Sequence, residues 1–279
     1  MIIECKDVSY MYDMPGDSWA LQDINLTLRP GEKVMVAGPA GSGKTTLIEL
    51  LDALILPTRG DVFFDGQSVR SLSKAGRLAS IRKRIGVLFQ FPEHQFFHET
   101  AYDELVFAAK NLLHTDEQDI QERALGIITG LNLDMAMLKE VSPFYLSSGE
   151  KRRLAIASAL MIFPEIVIMD EPTAGMDAQG RREFVRIIES LQDTTVVVVT
   201  HNQEDFLGII DRIIGLSDGF KVIDVSRDGL IDLVEDMEMS GIIPPLVLRL
   251  QSWLKKSGVD LDHPCFDMNE LISMLKLRV

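Results

Sequence analysis

The stretch that decides the fold is Gly38-Pro-Ala-Gly-Ser-Gly-Lys-Thr45, a full match to the pattern G-x-x-x-x-G-K-[S/T]. It lies between a short apolar run at residues 34–37, which reads as a strand, and residues 46–56, which read as a helix. Glycines let successive backbone N–H groups curl around a phosphate with no Cβ in the way. A helix beginning near Lys44 aims the positive end of its dipole at the same charge. The Lys44 ammonium adds a point charge at a β/γ-phosphate, and the Thr45 hydroxyl can ligate Mg2+. An ordinary Gly-rich turn has no need of this strand and helix on either side. Gly38, Pro39, Ala40, Gly41, Ser42, Gly43, Lys44, Thr45 and Thr46 are therefore the candidate phosphate cradle.

Moving outward, two more apolar, mostly β-branched runs occupy residues 166–169 and 195–200, with a predicted crossover helix at 181–191 between them. Such runs are the pattern of parallel strands covered on both faces, so the chain reads as an α/β fold around a parallel sheet. Helix-forming stretches at 102–113 and 116–131 make a helical insertion, expected over about 92–163. Residues 1–30 read as short β segments, with Leu21, Ile24, Leu26 and Leu28 close to alternation, and residues 62–66 as a further strand and turn.

The strand ends carry the chemistry. Asp170 and Glu171 follow the first of those runs, where Asp170 can reach a Mg2+ shell and Glu171 points one residue further, towards a γ-phosphate. Glu171 is the candidate for positioning or deprotonating a water. His201 follows the second run on the same sheet edge as Lys44 and Asp170, and is read as a γ-phosphate contact. Leu146-Ser-Ser-Gly-Glu150 precedes an apolar helix, and spacing alone leaves two readings open, a Ser-capped helix start or a second anion site. Lys151-Arg152-Arg153 and Arg181-Arg182 read as solvated helix faces, the former also adding positive potential near a nucleotide. His94 and His98 are four apart but lack any further ligand pattern, which favours a non-metal surface or groove role.

The 279 residues carry 28 Lys+Arg against 42 Asp+Glu, a net charge of −14, which disfavours extended nucleic-acid binding. No apolar run approaches the ~18 residues of a membrane span, and the first residues lack a signal-peptide layout. Cys5 and Cys265 are isolated, which suits a reducing cytosol. The expectation is a soluble intracellular chain whose membrane role, if any, is supplied by a partner. Beyond Asp218-Gly219, residues 222–279 read as a small C-terminal helical unit, with Leu246, Leu250 and Leu254 at helical spacing and a Pro244-Pro245 break.

Taken together, the ordered motifs resemble the nucleotide-binding subunits of ATP-binding-cassette (ABC) transporters, over residues 1 to about 220. The resemblance implies a P-loop NTPase core with an antiparallel β subdomain, a helical subdomain and a cassette at 1–221. It implies ATP and Mg2+ as ligands and a dimer that sandwiches two nucleotides. By the same resemblance, Gln90 contacts Mg2+ and senses the membrane partner. Tyr12 stacks on adenine, with Tyr10 close enough to compete. Ser147, Ser148, Gly149 and Glu150 form the signature that meets the opposing subunit's ATP, and the segment ending at Asp177 is the D-loop.

A narrower likeness rests on the strings Phe89-Gln-Phe-Pro-Glu-His-Gln-Phe-Phe97, Pro172-Thr-Ala-Gly-Met-Asp177 and Ile243-Pro-Pro-Leu-Val247. These resemble the ATPases of energy-coupling factor importers for vitamins, cobalt or nickel. That likeness implies a transmembrane coupling protein, a substrate-binding membrane protein, and a peripheral position on the cytoplasmic face of the membrane. It also implies a homodimer or a heterodimer with a related ATPase, held in part by the C-terminal unit. The alternatives are a soluble or regulatory ABC ATPase uncoupled from transport. Charge and the single cassette oppose a nucleic-acid role, and the intact Glu171 and His201 oppose a non-hydrolysing one. Ser148 stands where the family signature usually has glycine, and the expectation is slower hydrolysis, through crowding of the γ-phosphate or a backbone angle that glycine accepts more easily.

Overall fold

The computed structural model describes residues 1–13, 18–89, 95–113, 116–259 and 261–276. Two sheets organise the described chain. The first is antiparallel, in the order β2-β1-β4-β5, from β1 (Ile3–Met11), β2 (Trp19–Leu28), β4 (Arg59–Phe64) and β5 (Gln67–Ser68). The second has the order β10-β9-β3-β8-β7-β6, from β3 (Lys33–Ala37), β6 (Ile85–Leu88), β7 (Ile166–Asp170), β8 (Thr195–Val199), β9 (Arg212–Ser217) and β10 (Phe220–Ser226). Its pairs are parallel from β9 through β6, and only β10 runs antiparallel, against β9.

Side-chain alternation divides the interior at this second sheet. Val34, Val36, Ile166, Ile168, Val197 and Val199 face a core shared with the antiparallel sheet and with α1 (Lys44–Leu51). Met35, Ala37, Val167, Met169, Val196 and Val198 face the opposite way, into a core shared with the later helices. A period of two on strands buried on both faces yields this split, and β7 and β8 are buried along their whole length.

Short helices α2 (Val69–Lys74) and α3 (Leu78–Arg82) precede β6. The insertion consists of α4 (Ala101–Leu112), α5 (Glu117–Gly130), α6 (Met135–Glu140) and α7 (Ser148–Leu160), with α4 packed on α5, α6 and α7. α8 (Ala178–Ser190) is the crossover from β7 to β8, and the short α9 (Gln203–Phe206) follows β8. The N-cap of α8, Asp177, accepts from the Gly180 N–H at 2.7 Å.

Residues 1–30 form two long strands of 9 and 10 residues rather than short segments. The first helix starts at Lys44 and stops at Leu51, short of residue 56, and Ala53 turns to a positive φ of 59°. Asp218-Gly219, read as a break before a separate unit, is instead a hairpin tip with φ of 49° and 81° that returns the chain into β10. The expected boundary at 221/222 therefore falls inside a strand of the main sheet.

The remaining helices, α10 (Val234–Met239), α11 (Leu246–Lys256) and α12 (Met268–Lys276), bury Met237, Leu248 and Leu271 in the same core as the insertion and the sheet, as does Leu230 in the 3-10 turn before α10. On α11 the buried face is Val247, Leu248, Gln251 and Leu254, whereas Leu246 is exposed.

Candidate functional site

The loop between β3 and α1 is shaped by close backbone approaches. Gly43 caps α1 with a φ of 98°, and a Cβ there would lie 2.5 Å from the Ala20 carbonyl oxygen. At Gly38 a Cβ would lie 2.3 Å from the Leu216 carbonyl oxygen, so the loop is pressed against the end of β9. Lys44 Nζ donates to the carbonyls of Gly38 and Pro39, each at 2.8 Å, and is thereby held over the loop. Burial lowers its pKa, against the opposing pull of Glu171 and Asp170. The Ser42 hydroxyl is buried with no protein partner, a polar atom aimed within the loop.

Thr45 Oγ1 faces Asp170 Oδ2 at 3.5 Å, which joins the start of α1 to the end of β7. A hydroxyl and a carboxylate are hard oxygen donors, and together they fit Mg2+. Burial raises the pKa of Asp170, with Lys44 drawing it back.

Glu171 is held in the left-handed region at φ 48°, an uncommon conformation for a side-chain-bearing residue. The Thr200 hydroxyl donates to its Oε2 at 3.3 Å, the His201 N–H donates to its Oε1 at 2.9 Å, and His201 Nε2 lies 3.6 Å from Oε1. Burial is the main cause of its raised pKa, and His201 works against it. Arg152 also fixes this turn, donating through Nε to the Pro172 carbonyl at 2.9 Å and through Nη2 to the Glu171 carbonyl. The expectation of a solvated face fails for Arg152, which is buried. Its position on α7, four residues after the first helical residue Ser148 in a run of three basic side chains, carries no sign that it reaches across to β7.

Gly38, Pro39 and Ala40 share a cavity of about 490 Å³ with Thr200 and His201, so the loop and the histidine open onto one space. Tyr12 lies beside α1, its hydroxyl 3.0 Å from both Thr46 Oγ1 and Glu49 Oε2, with the Tyr10 ring edge-on at 4.9 Å. Tyr12 is partly exposed, and Thr46 is buried with its hydroxyl turned to that tyrosine.

Ser147 caps α7 in a reciprocal box. The Glu150 N–H donates to its Oγ at 3.3 Å, and the Ser147 N–H donates to Glu150 Oε2 at 2.9 Å. The hydroxyl of Ser147 also donates to that carboxylate at 2.6 Å, and these bonds hold the pKa of Glu150 low. Ser148 is the exposed first residue of α7 and has no positive φ, so the expected need for glycine's backbone freedom is not met; only the crowding reading stands. Ser147, Ser148 and Gly149 line a cavity of about 360 Å³ together with Gly175, Met176 and Asp177. Residues 147–149 and 175–177 thus lie side by side, around a cavity that Lys44, Asp170 and His201 do not line. Gln90 and His94 lie outside the described residues. His98 Nδ1 is 3.1 Å from Glu104 Oε2, a carboxylate pairing with no metal-type cluster around it among the described residues.

A phosphate-binding loop, an acidic strand end and a histidine on one parallel-sheet edge, with a capped helix presented separately, define an ATP-binding cassette. The family model described as ABC transporter matches residues 21–174. The chain is 35% identical over 271 residues to the energy-coupling factor transporter ATP-binding protein EcfA2 of Clostridium perfringens, covering 96% of this chain and 94% of that one. Among solved structures, a post-hydrolysis dimer of the cassette MJ0796 bound to ADP and Pi superposes with a TM-score of 0.74 at 29% identity, covering 81% of this chain and 98% of that one. The structure of cbiO1 from C. perfringens, part of the ABC transporter complex cbiONQ, gives a TM-score of 0.72 at 25% identity, covering 85% and 94%. The chain belongs to the ABC transporter family and, within it, to the energy-coupling factor transporter ATP-binding proteins.

Proposed function

We propose that the chain binds Mg-ATP at the carboxyl edge of its parallel sheet and hydrolyses it in a closed dimer with a second cassette, a copy of itself or a related ATPase. It is the ATP-hydrolysing subunit of an energy-coupling factor importer. In this reading it works at the cytoplasmic face of the membrane and powers uptake of a vitamin or transition-metal ion through a coupling protein and a substrate-binding membrane protein. Among the described residues no helix is long and apolar enough to cross a membrane.

One observation carries the reading: Thr45 meets Asp170 at 3.5 Å, and His201 meets Glu171 at 3.6 Å, on adjacent strand ends beneath Lys44. The loop amides and Lys44 hold the phosphates, and the free Ser42 hydroxyl is a further donor for them. Mg2+, when bound by Thr45 and Asp170 with Gln90 as a further ligand, supplies neutralisation of β- and γ-phosphate oxygens. Glu171 orients the attacking water. Its burial favours the protonated carboxyl, which makes the carboxylate a stronger base than a free glutamate. His201, tied to Glu171 through its peptide N–H, contacts the γ-phosphate. Ser147, Ser148, Gly149 and Glu150 of each subunit face the nucleotide of the other, with Asp177 beside them, and the C-terminal residues 222–279 serve dimerisation.

The test is nucleotide binding by Lys44→Ala, measured by titration with a fluorescent ATP analogue. The expected outcome is a loss of affinity of at least about 100-fold, for removal of a buried charge-assisted contact. Parent-like affinity in the variant removes the loop from the role given to it.

A further inference from the structure

The loop between α11 and α12, together with the first turn of α12, gathers three unlike donors that the nucleotide site does not use: His263 and Cys265 from the loop and Glu270 from the helix. Their ligand atoms all lie within 4.8 Å of one another, and His263 Nε2 is 3.2 Å from Glu270 Oε1. Cys265 is buried, whereas His263 and Glu270 are exposed, so the sulfur forms the floor of the group and the other two its rim.

The floor is rigid. Buried Gln251 on α11 clamps the peptide of Cys265 from both sides: its Nε2 donates to the Cys265 carbonyl at 2.6 Å and its Oε1 accepts from the Cys265 N–H at 2.8 Å. Glu270 is fixed at its backbone, where its N–H donates to Asp267 Oδ1 at 3.1 Å in the first turn of α12. A solvent path exists, because His263 and Glu270 line a cavity of about 440 Å³ with Arg227 and Asp228.

We propose that His263, Cys265 and Glu270 form a binding site for Zn2+, with one imidazole nitrogen, the sulfur and a carboxylate oxygen as ligands and water in the fourth position. The donor set selects the ion. Mg2+ and Ca2+ take oxygen ligands and reject sulfur, whereas a mixed nitrogen, sulfur and oxygen set suits zinc. With metal–ligand bonds of about 2.0–2.3 Å, two donors on a tetrahedral ion sit ~3.3–3.8 Å apart. The His263–Glu270 separation is already close to that, and the remaining closure is about 1 Å, within reach of two exposed side chains turning over a fixed sulfur. Binding releases the Cys265 thiol proton to solvent, and the metal–sulfur bond replaces it. The ion pins the loop at residues 263–265 to Glu270 in the first turn of α12 and so braces the C-terminal helices. The site stands apart from the nucleotide loop, and its test needs no nucleotide.

The experiment is a Co2+ titration of the full-length, chelator-treated chain. The expected result is a thiolate-to-cobalt charge-transfer band that saturates at one equivalent and is displaced by Zn2+. Cys265→Ser abolishes the band, and His263→Asn and Glu270→Gln, at exposed positions that leave the fold intact, weaken binding by about 10-fold or more. Added Zn2+ at a fixed concentration raises Tm in the parent and by less in Glu270→Gln. The proposal is overturned if no band forms, if the band survives Cys265→Ser (assigning it to Cys5, the other thiol), or if His263→Asn and Glu270→Gln bind cobalt like the parent.

Discussion

Glu171 shows how a single residue is forced into an uncommon backbone pose. Its backbone sits at φ 48°, an arrangement that costs of order 1–3 kcal/mol and persists because Arg152, Thr200 and His201 each bond part of it. Removing the charge while keeping the shape isolates the chemistry. Glu171→Gln is expected to bind ATP like the parent and to lower phosphate release by about 100-fold or more, the range of a lost general base. Near-parental turnover of the assembled complex sinks that role. A second residue gives a pH signature. Asp52 ends α1, accepts from the Leu54 N–H at 2.7 Å, and has its carboxyl pushed up to about 6, chiefly by burial. Between an unfolded value near 3.8 and a folded value near 6 the folded chain holds the extra proton, so stability falls as pH rises through that window. Asp52→Asn keeps an acceptor oxygen for Leu54 and carries no charge. It is expected to raise Tm at pH 7, by no more than about 3 kcal/mol in stability, and to lose that advantage below about pH 4. Parallel Tm curves for the two proteins between pH 4 and 8 contradict the assignment.

At the scale of elements, α7 is the helix whose beginning and middle do different work. Its N-terminus is closed by the Ser147–Glu150 box, and its buried Arg152 reaches over to the end of β7. Ser147→Ala removes the cap and is expected to cost about 1 kcal/mol, read as a lower urea midpoint with unchanged slope; Ser147→Thr should recover most of it. An unchanged midpoint in the alanine variant shows that the box is idle. The same helix marks the border of what was legible in the sequence. The glycine-rich loop, Asp170, Glu171 and His201 announce themselves because their chemistry is set by neighbours along the chain: a turn, a strand end, a helix start. The capped start of α7 was readable for the same reason, although not which of two roles it served. Arg152 was not, since its partners Glu171 and Pro172 are 19 and 20 residues away and meet it only through tertiary packing. His263, Cys265 and Glu270 were equally hidden, because the irregular spacing of three donors acquires meaning only when a loop folds back on a helix.

On the scale of the whole molecule, the C-terminal residues are continuous with the core, and Ile242 is the point where this can be tested. It is 2% exposed and seats over β9 at Gly215, where a Cβ would lie 2.7 Å from its Cδ1 and 2.8 Å from the Ile223 Cβ. The missing side chain at Gly215 is what lets the isoleucine reach the sheet. The next carbonyl, of Ile243, accepts from Gln203 Nε2 at 3.1 Å, and the Leu246 N–H donates to Glu204 at 3.1 Å, both on the helix that follows His201. Gly241 lines the same cavity as Pro39, and a Cβ on it would come within 3.6 Å of that ring. The C-terminal turn therefore borders the loop after β3 and bonds to the segment after His201 while seating on the sheet. Ile242→Ala is expected to cost about 2–5 kcal/mol, as large-to-small changes at buried sites do. Because the residue belongs to the same buried cluster as the parallel strands, that loss should lower one cooperative transition by calorimetry. A separate early transition, with the main one unmoved, shows instead that residues after Ser226 melt on their own.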